Sequence, residues 1–172
     1  APLTEQGVNL VEMSRESAEL TKYASNAMLA TKISFINQIS RIADKVGANI
    51  EEISYGMGLD KRIGPHFNQA GCGYGGSCFP KDIRALKSVA KKHQVDANLL
   101  ESVEQTNERQ QFRLFELISE RFNHQVKGLN IALWGLAFKP GTDDMREASS
   151  LKLIDALLEA GAVVHAYDPV CV

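Results

Sequence analysis

The sequence predicts an α+β chain that is mostly α: a helical domain built on one long helix, followed by the first βαβ of a truncated Rossmann-like domain. Three observations predict it. Residues 14–46 contain neither Pro nor Gly and carry apolar residues at helical spacing. A glycine-rich loop at residues 71–76 leads toward a helix announced by Pro80, and after Gly128 the pattern becomes strand, helix, strand. The boundary falls near residue 125, giving a helical domain over 1–125 and the start of an α/β domain over 126–172. The chain opens without an initiator Met and stops directly after a strand, and a lone strand cannot bury its own face. It therefore reads as a segment of a longer protein.

Each element has a local reason. In residues 14–46, Leu20, Tyr23, Ala27, Ile33, Ile36, Ile39, Ala43 and Val46 fall on helical spacings, and Gly47 supplies the stop. At ~1.5 Å per residue that is a rod about 50 Å long. A small domain cannot cover it alone, so a partner chain or second domain is expected; two shorter helices with an unmarked break are the alternative. Residues 48–58 read as a short helix ended by glycine, and residues 65–76 as irregular. Helix resumes at Pro80 with Ile83, Leu86, Val89 and Ala90 on one face. Residues 99–122 read as one amphipathic helix carrying Val103, Phe112, Phe115, Leu117 and Ile118. The run Asn130-Ile131-Ala132-Leu133-Trp134-Gly135 reads as a strand buried on both faces. Residues 148–160 form a helix with Leu151, Ile154, Leu157 and Leu158 inward, and residues 162–168 a second, parallel strand.

Composition narrows the function classes. Hydrophobic residues at 44% and charged residues at 23% are ordinary globular usage, which excludes wholesale disorder. A net charge of −2 argues against a protein that lives on a phosphate backbone. No apolar run approaches the ~18 residues of a spanning helix, and residues 1–7 lack the basic and apolar stretches of a signal peptide. Three sparse cysteines are unlike a secreted disulfide framework. A soluble, cytoplasmic protein without nucleic-acid or membrane partners is expected.

Gly71-Cys72-Gly73-Tyr74-Gly75-Gly76 satisfies GxGxxG, but no strand precedes it and the next helix opens only near Pro80, so it is not a dinucleotide fingerprint. Its glycines serve close backbone approach to a ligand, or tight turns. Cys78 precedes a helix, where the macrodipole favours a thiolate, with Lys81 and Asp82 following within a turn. A thiol, a cation and a carboxylate beside a Gly-rich loop suit covalent attack on a carbonyl carbon. From these residues alone an ordinary buried thiol is the plainer reading. Lys22 and Asn26 lie four apart on one helix face and can donate to an oxyanion; a solvated face is the plainer reading there too. Asp143, Asp144 and Glu147 precede a helix and are expected to cap it rather than to bind metal. The four histidines show no ligand spacing, so no metal is expected.

Three motifs taken together are identified as a family pattern. Glu19-Leu20-Thr21-Lys22-Tyr23-Ala24-Ser25-Asn26-Ala27-Met28, Gly75-Gly76-Ser77-Cys78-Phe79-Pro80-Lys81-Asp82 and Gly135-Leu136-Ala137-Phe138-Lys139-Pro140 resemble the UDP-glucose/GDP-mannose dehydrogenase family, in order and across nearly the whole chain. These nucleotide-sugar dehydrogenases oxidise a sugar C6 alcohol to a carboxylate by two hydride transfers to NAD. The resemblance implies Cys78 as the nucleophile, Lys22 and Asn26 as oxyanion stabilisers, and Asp82 as the carboxylate that positions or activates water. It implies substrate contacts at Tyr74, Gly75, Lys81, Phe138 and Lys139, an Arg62 reaching the substrate of a neighbouring subunit, and a cofactor contact at Arg146. It makes the long helix a homodimer core. The family's NAD-binding domain and most of its UDP-binding domain are absent, so the segment alone is expected to be inactive. Ser77 argues against the N-acetylated-sugar branch and Phe79 favours UDP-glucose, with GDP-mannose as the alternative. A purely structural dimerisation module is the reading from a different class.

Overall fold

The computed structural model describes residues 9–171; residues 1–8 and Val172, and with them the signal-peptide reading of residues 1–7, lie outside the described residues. Along the chain run α1 (Arg15–Val46), α2 (Ile50–Gly58), α3 (Phe79–Lys92), α4 (Asn98–Gln111), α5 (Arg113–Arg121), β1 (Asn130–Trp134), α6 (Ser149–Glu159) and β2 (Val163–Tyr167). The two strands pair in parallel, in the register Asn130↔Val163 to Trp134↔Tyr167, with α6 as the crossover.

α1 is one unbroken helix of 32 residues, capped at both ends as its sequence demands. The Ser14 hydroxyl accepts the Ser17 N–H at 3.1 Å. Gly47 takes the left-handed conformation, φ 71°, and the following Ala48 N–H returns to the Ala43 carbonyl at 3.0 Å. The buried face carries small residues, Ala27, Ala30 and Ser34, and these let α3 and α4 pack against it. There the Ser34 hydroxyl donates to the Val103 carbonyl at 3.0 Å. Ala30, Tyr74, Ile83 and Val103 form the buried centre of this helical part, with Ile33, Phe79 and Leu100 around it. Elsewhere on α1, Leu20, Met28, Phe35 and Ile42 are about half exposed or more. A second core joins Val126, Leu153, Leu157 and Ala162, covered by Phe115 and Ile118 of α5 and by Ile131, Leu133 and Val164 of the strands.

Several expectations need correction. Residues 99–122 form two helices, because Phe112 leaves helical geometry at φ −93°, ψ 0°. That break turns α5 onto α6. β1 is half-buried on one face only: Ile131 and Leu133 face α6, whereas Trp134 is 86% exposed, since no described element covers the other side. In α6 it is Leu153 and Leu157 that are buried; Leu158 points outward, as does Val89 in α3. The acidic group before α6 does not cap it. Ala148 is the N-cap, without a side-chain cap bond, while Asp144 pairs with Arg146 and Glu147 with Arg84.

Candidate active site

The site is assembled where α1, the N-terminus of α3 and the loop over residues 71–78 meet. Lys22 and Asn26 stand one turn apart on α1, and both reach Asp82 in the first turn of α3. Asp82 is fully buried, and its Oδ2 accepts from Lys22 Nζ and from Asn26 Nδ2 at 2.6 Å. Its Oδ1 accepts no hydrogen bond and lies 3.7 Å from Lys81 Nζ. Burial alone pushes the Asp82 carboxyl up, but the hydrogen bonds from Lys22 and Asn26 and the charges of Lys22 and Lys81 hold it below the usual carboxylate value. Lys22 is raised, chiefly by its hydrogen bond to Asp82. Lys22 and Asn26 thus converge on one buried carboxylate, while the Lys22 side chain stays half exposed to solvent.

Cys78 is the N-cap residue of α3 and is exposed, with Sγ 3.8 Å from the Ser77 hydroxyl. Its carbonyl accepts the Asp82 N–H at 2.9 Å, so thiol and carboxylate occupy the same turn. Burial pushes the Cys72 and Cys171 thiols up, as expected of structural cysteines.

A cavity of about 480 Å³ opens beside Phe79, the residue after Cys78. Ile33 and Asn37 of α1 form its floor, and Pro65, His66, Phe67 and Gln69 one wall. Tyr74 and Gly75 form another, and Phe138 with Lys139 closes it from the loop after β1. Lys139 Nζ sits 5.4 Å from the centre of the Phe138 ring. Aromatic surface with a cation at the rim suits a flat, phosphorylated ligand. Cys78, Lys22, Asn26, Lys81 and Asp82 lie outside this lining. Arg62 is also outside it, exposed and paired with Asp60.

The 71–76 loop packs on protein backbone. A side chain at Gly75 would collide with the Glu147 carbonyl, and one at Gly76 with the Phe138 ring. The Gly76 N–H donates to the Arg146 carbonyl at 2.7 Å. Arg146 itself is exposed and bidentate to Asp144, which that pairing lowers to about 2. Residues 67–70, directly before the loop, form no strand, in keeping with its rejection as a dinucleotide fingerprint. Among the described residues no group of three His, Cys, Asp or Glu is placed to hold a metal, and no helix is long and apolar enough to cross a membrane.

The profile of the UDP-glucose/GDP-mannose dehydrogenase family, central domain, matches residues 16–109, and that of the family's UDP binding domain matches residues 132–172. The chain belongs to the UDP-glucose/GDP-mannose dehydrogenase family. It is 53% identical over 170 residues to a UDP-glucose 6-dehydrogenase of Pseudomonas aeruginosa, covering 99% of this chain and 38% of that protein. With a UDP-glucose 6-dehydrogenase of Bacillus subtilis it shares 56% over 156 residues, 91% of this chain and 35% of the relative. A solved UDP-glucose dehydrogenase from Pyrobaculum islandicum superimposes with a TM-score of 0.88 at 41% identity, covering 91% of this chain and 36% of that one. The chain thus spans under two-fifths of the length of the relatives it matches.

In this nucleotide-sugar dehydrogenase segment the structure brings together Lys22, Asn26, Lys81 and Asp82 beside Cys78, and separately Tyr74, Gly75, Phe138 and Lys139 around the cavity. Sequence reasoning missed Asn37, Asn107, Gln110, Gln111 and Asp168. The first four are buried amides whose only signal is a polar residue on an inward helical face. Asp168 accepts backbone N–H groups from Leu136, Ala137, Val170 and Cys171, which push its carboxyl far down; its signal is the Asp-Pro step after a strand.

Proposed function

We propose that this chain is the central part of an NAD-dependent UDP-glucose 6-dehydrogenase that converts UDP-glucose to UDP-glucuronate in the cytoplasm. The observation that carries the reading is the convergence of Lys22 and Asn26 on buried Asp82, one turn from an exposed Cys78, in a chain of this family. The helical domain would run over residues 1–125, with the α/β UDP-binding domain beginning at 126.

The cavity, through Tyr74, Gly75, Phe138 and Lys139, takes the nucleotide end of the substrate, and Lys81 stands nearer the sugar. NAD, when bound, supplies the acceptor for the two hydrides. Arg146 is the residue here that fits a contact to it: an exposed guanidinium whose own carbonyl is tied to the loop that leads to Cys78. The Cys78 sulfur adds to the C6 aldehyde, forming a C–S bond, and the carbonyl oxygen becomes an oxyanion. Lys22 has three N–H donors and Asn26 two, so each keeps a donor for that oxyanion while holding Asp82. After the second oxidation the carbon is a thioester. The unpartnered Oδ1 of Asp82 accepts a hydrogen bond from the water that hydrolyses it, releasing the carboxylate and restoring the thiol.

The exposed Leu20, Met28, Phe35 and Ile42 stripe of α1 pairs two copies, and Arg62, free of its own cavity, serves the partner's substrate. Residues 1–172 by themselves turn over no substrate, since they match under two-fifths of the length of the related dehydrogenases.

The test measures NADH formed from limiting UDP-glucose by the full-length enzyme carrying this chain, with GDP-mannose in parallel. Two NADH per UDP-glucose, lost in Cys78→Ala, support the reading. Preference for GDP-mannose transfers the mechanism to that substrate. No NADH with either leaves only a structural dimerisation module.

A further inference from the structure

Four buried carboxamide side chains surround the 71–74 loop: Asn37 from α1, and Asn107, Gln110 and Gln111 from α4. Each bonds loop backbone. Asn37 Oδ1 accepts the Gly71 N–H at 2.8 Å, and Gln110 Nε2 donates to the Gly71 carbonyl at 2.8 Å. Asn107 clamps Tyr74 from both sides, accepting its N–H at 2.7 Å and donating to its carbonyl at 3.0 Å. Gln111 Nε2 donates to the same Tyr74 carbonyl at 3.2 Å and to the Glu147 carbonyl at 3.3 Å, across to the segment before α6.

The chemistry of these residues is specific. A carboxamide is both donor and acceptor, so one side chain satisfies a peptide N–H and C=O together; a carboxylate would set lone pair against lone pair, and a lysine has no acceptor. A loop of glycines has little secondary structure to hold it, and its peptides are costly to leave unpaired when buried. Tyr74 and Gly75 line the cavity, and Tyr74 meets Phe79 edge-on with ring centres 5.7 Å apart. The clamped peptide thus carries the cavity wall, whereas Cys78 is placed separately, by α3 and its packing on α1.

We propose that Asn107 and Gln111 are positioning residues of the sugar-nucleotide site: their carboxamides fix the Tyr74 peptide, and through it the cavity wall, and fasten that wall to Glu147. This rests on the function proposed above. It predicts that loosening the clamp weakens substrate binding far more than it slows chemistry at Cys78.

The test compares Asn107→Asp and Gln111→Met with wild type in the full-length enzyme, reading NADH initial rates and amide hydrogen exchange of residues 71–76. Arg113→Met is the control, since it breaks ion pairs to Asp44 and Glu116 without touching the loop. The expected result is a KM for UDP-glucose raised about tenfold with kcat within about threefold, and loop exchange about tenfold faster, neither seen in Arg113→Met. Should Asn107→Asp not fold, Gln111→Met decides. An unchanged KM, or kcat falling as far as KM rises, overturns the proposal. If wild type makes no NADH from either sugar nucleotide, the functional reading fails instead, and exchange alone decides the clamp: unchanged rates in Gln111→Met overturn it.

Discussion

Gly75 lies so close to Glu147 that the backbone of the 71–78 loop and the backbone before α6 touch with no room for a methyl group. A Cβ built at Gly75 would sit 2.7 Å from the Glu147 carbonyl carbon and 3.1 Å from Ala148 Cα, both backbone atoms that cannot swing away. Gly75 has no left-handed φ, so proximity and not conformation selects the glycine. The contact joins the helical and α/β parts at the wall of the cavity.

Gly75→Ala is therefore expected to cost about 3 kcal/mol, at the upper end of overpacking. Gly71→Ala, where no atom stands within 4 Å, should cost far less. Urea unfolding midpoints of the two variants check this, and equal midpoints would show that the junction yields freely.

The fold was legible where local chemistry and tertiary packing agree. Ser14, Gly47 and the uninterrupted spacing of α1 are local signals, and they suffice for a 32-residue helix. The break at Phe112 was not legible, because nothing between Gln111 and Arg113 departs from helical composition. The turn there goes with the packing of α5 on α6, a contact distant in sequence. The apolar run of β1 was read as doubly buried, yet only its α6 side is covered. An apolar residue reports a face that wants burial, not a face that has found it. At the site, Lys22, Asn26, Lys81 and Asp82 stand in familiar spacings, whereas Asn107 and Gln111 matter through partners distant in sequence.

The bare sheet face gives a second expectation. Trp134 is 86% and Tyr167 61% exposed, with ring centres 6.4 Å apart. Trp134→Ser should change the stability of this chain by no more than ~0.5 kcal/mol, as at other surface positions, while lowering self-association measured by light scattering. A large loss of stability would mean that the ring is buried after all.

The Lys22–Asp82 pair sets a pH dependence with a definite sign. Asp82 is held below its ordinary value, so its contribution is present above the unfolded aspartate pKa of ~3.9 and is lost as pH falls through the folded value. Lys22 is raised, so its contribution is present below ~10.4 and is lost as pH rises through its folded value. The difference in urea midpoint between wild type and Asp82→Asn should be flat from about pH 5 to about pH 9 and shrink below about pH 4. A difference that grows toward acid would reverse the sign and remove the pair from the account.

Asp168 makes the corresponding expectation for the α/β part. Its carboxylate gathers the N–H groups of Leu136, Val170 and Cys171 at 2.8, 2.9 and 2.9 Å, joining the loop after β1 to the end of β2. That loop carries Phe138 and Lys139 to the cavity. Hydrogen bonds to the ionised form hold this carboxyl well below the usual range, so the stabilisation is present above ~3.9 and disappears only in stronger acid. Asp168→Asn keeps one acceptor oxygen but puts an NH₂ group against backbone donors. The expected outcome is a lower melting temperature at pH 7, with faster hydrogen exchange at Leu136 and Ala137 and little change in α1. The gap to wild type should narrow as pH falls below the unfolded aspartate value. A loss spread evenly over both parts would mean that Asp168 supports the whole chain and not the loop beside the cavity.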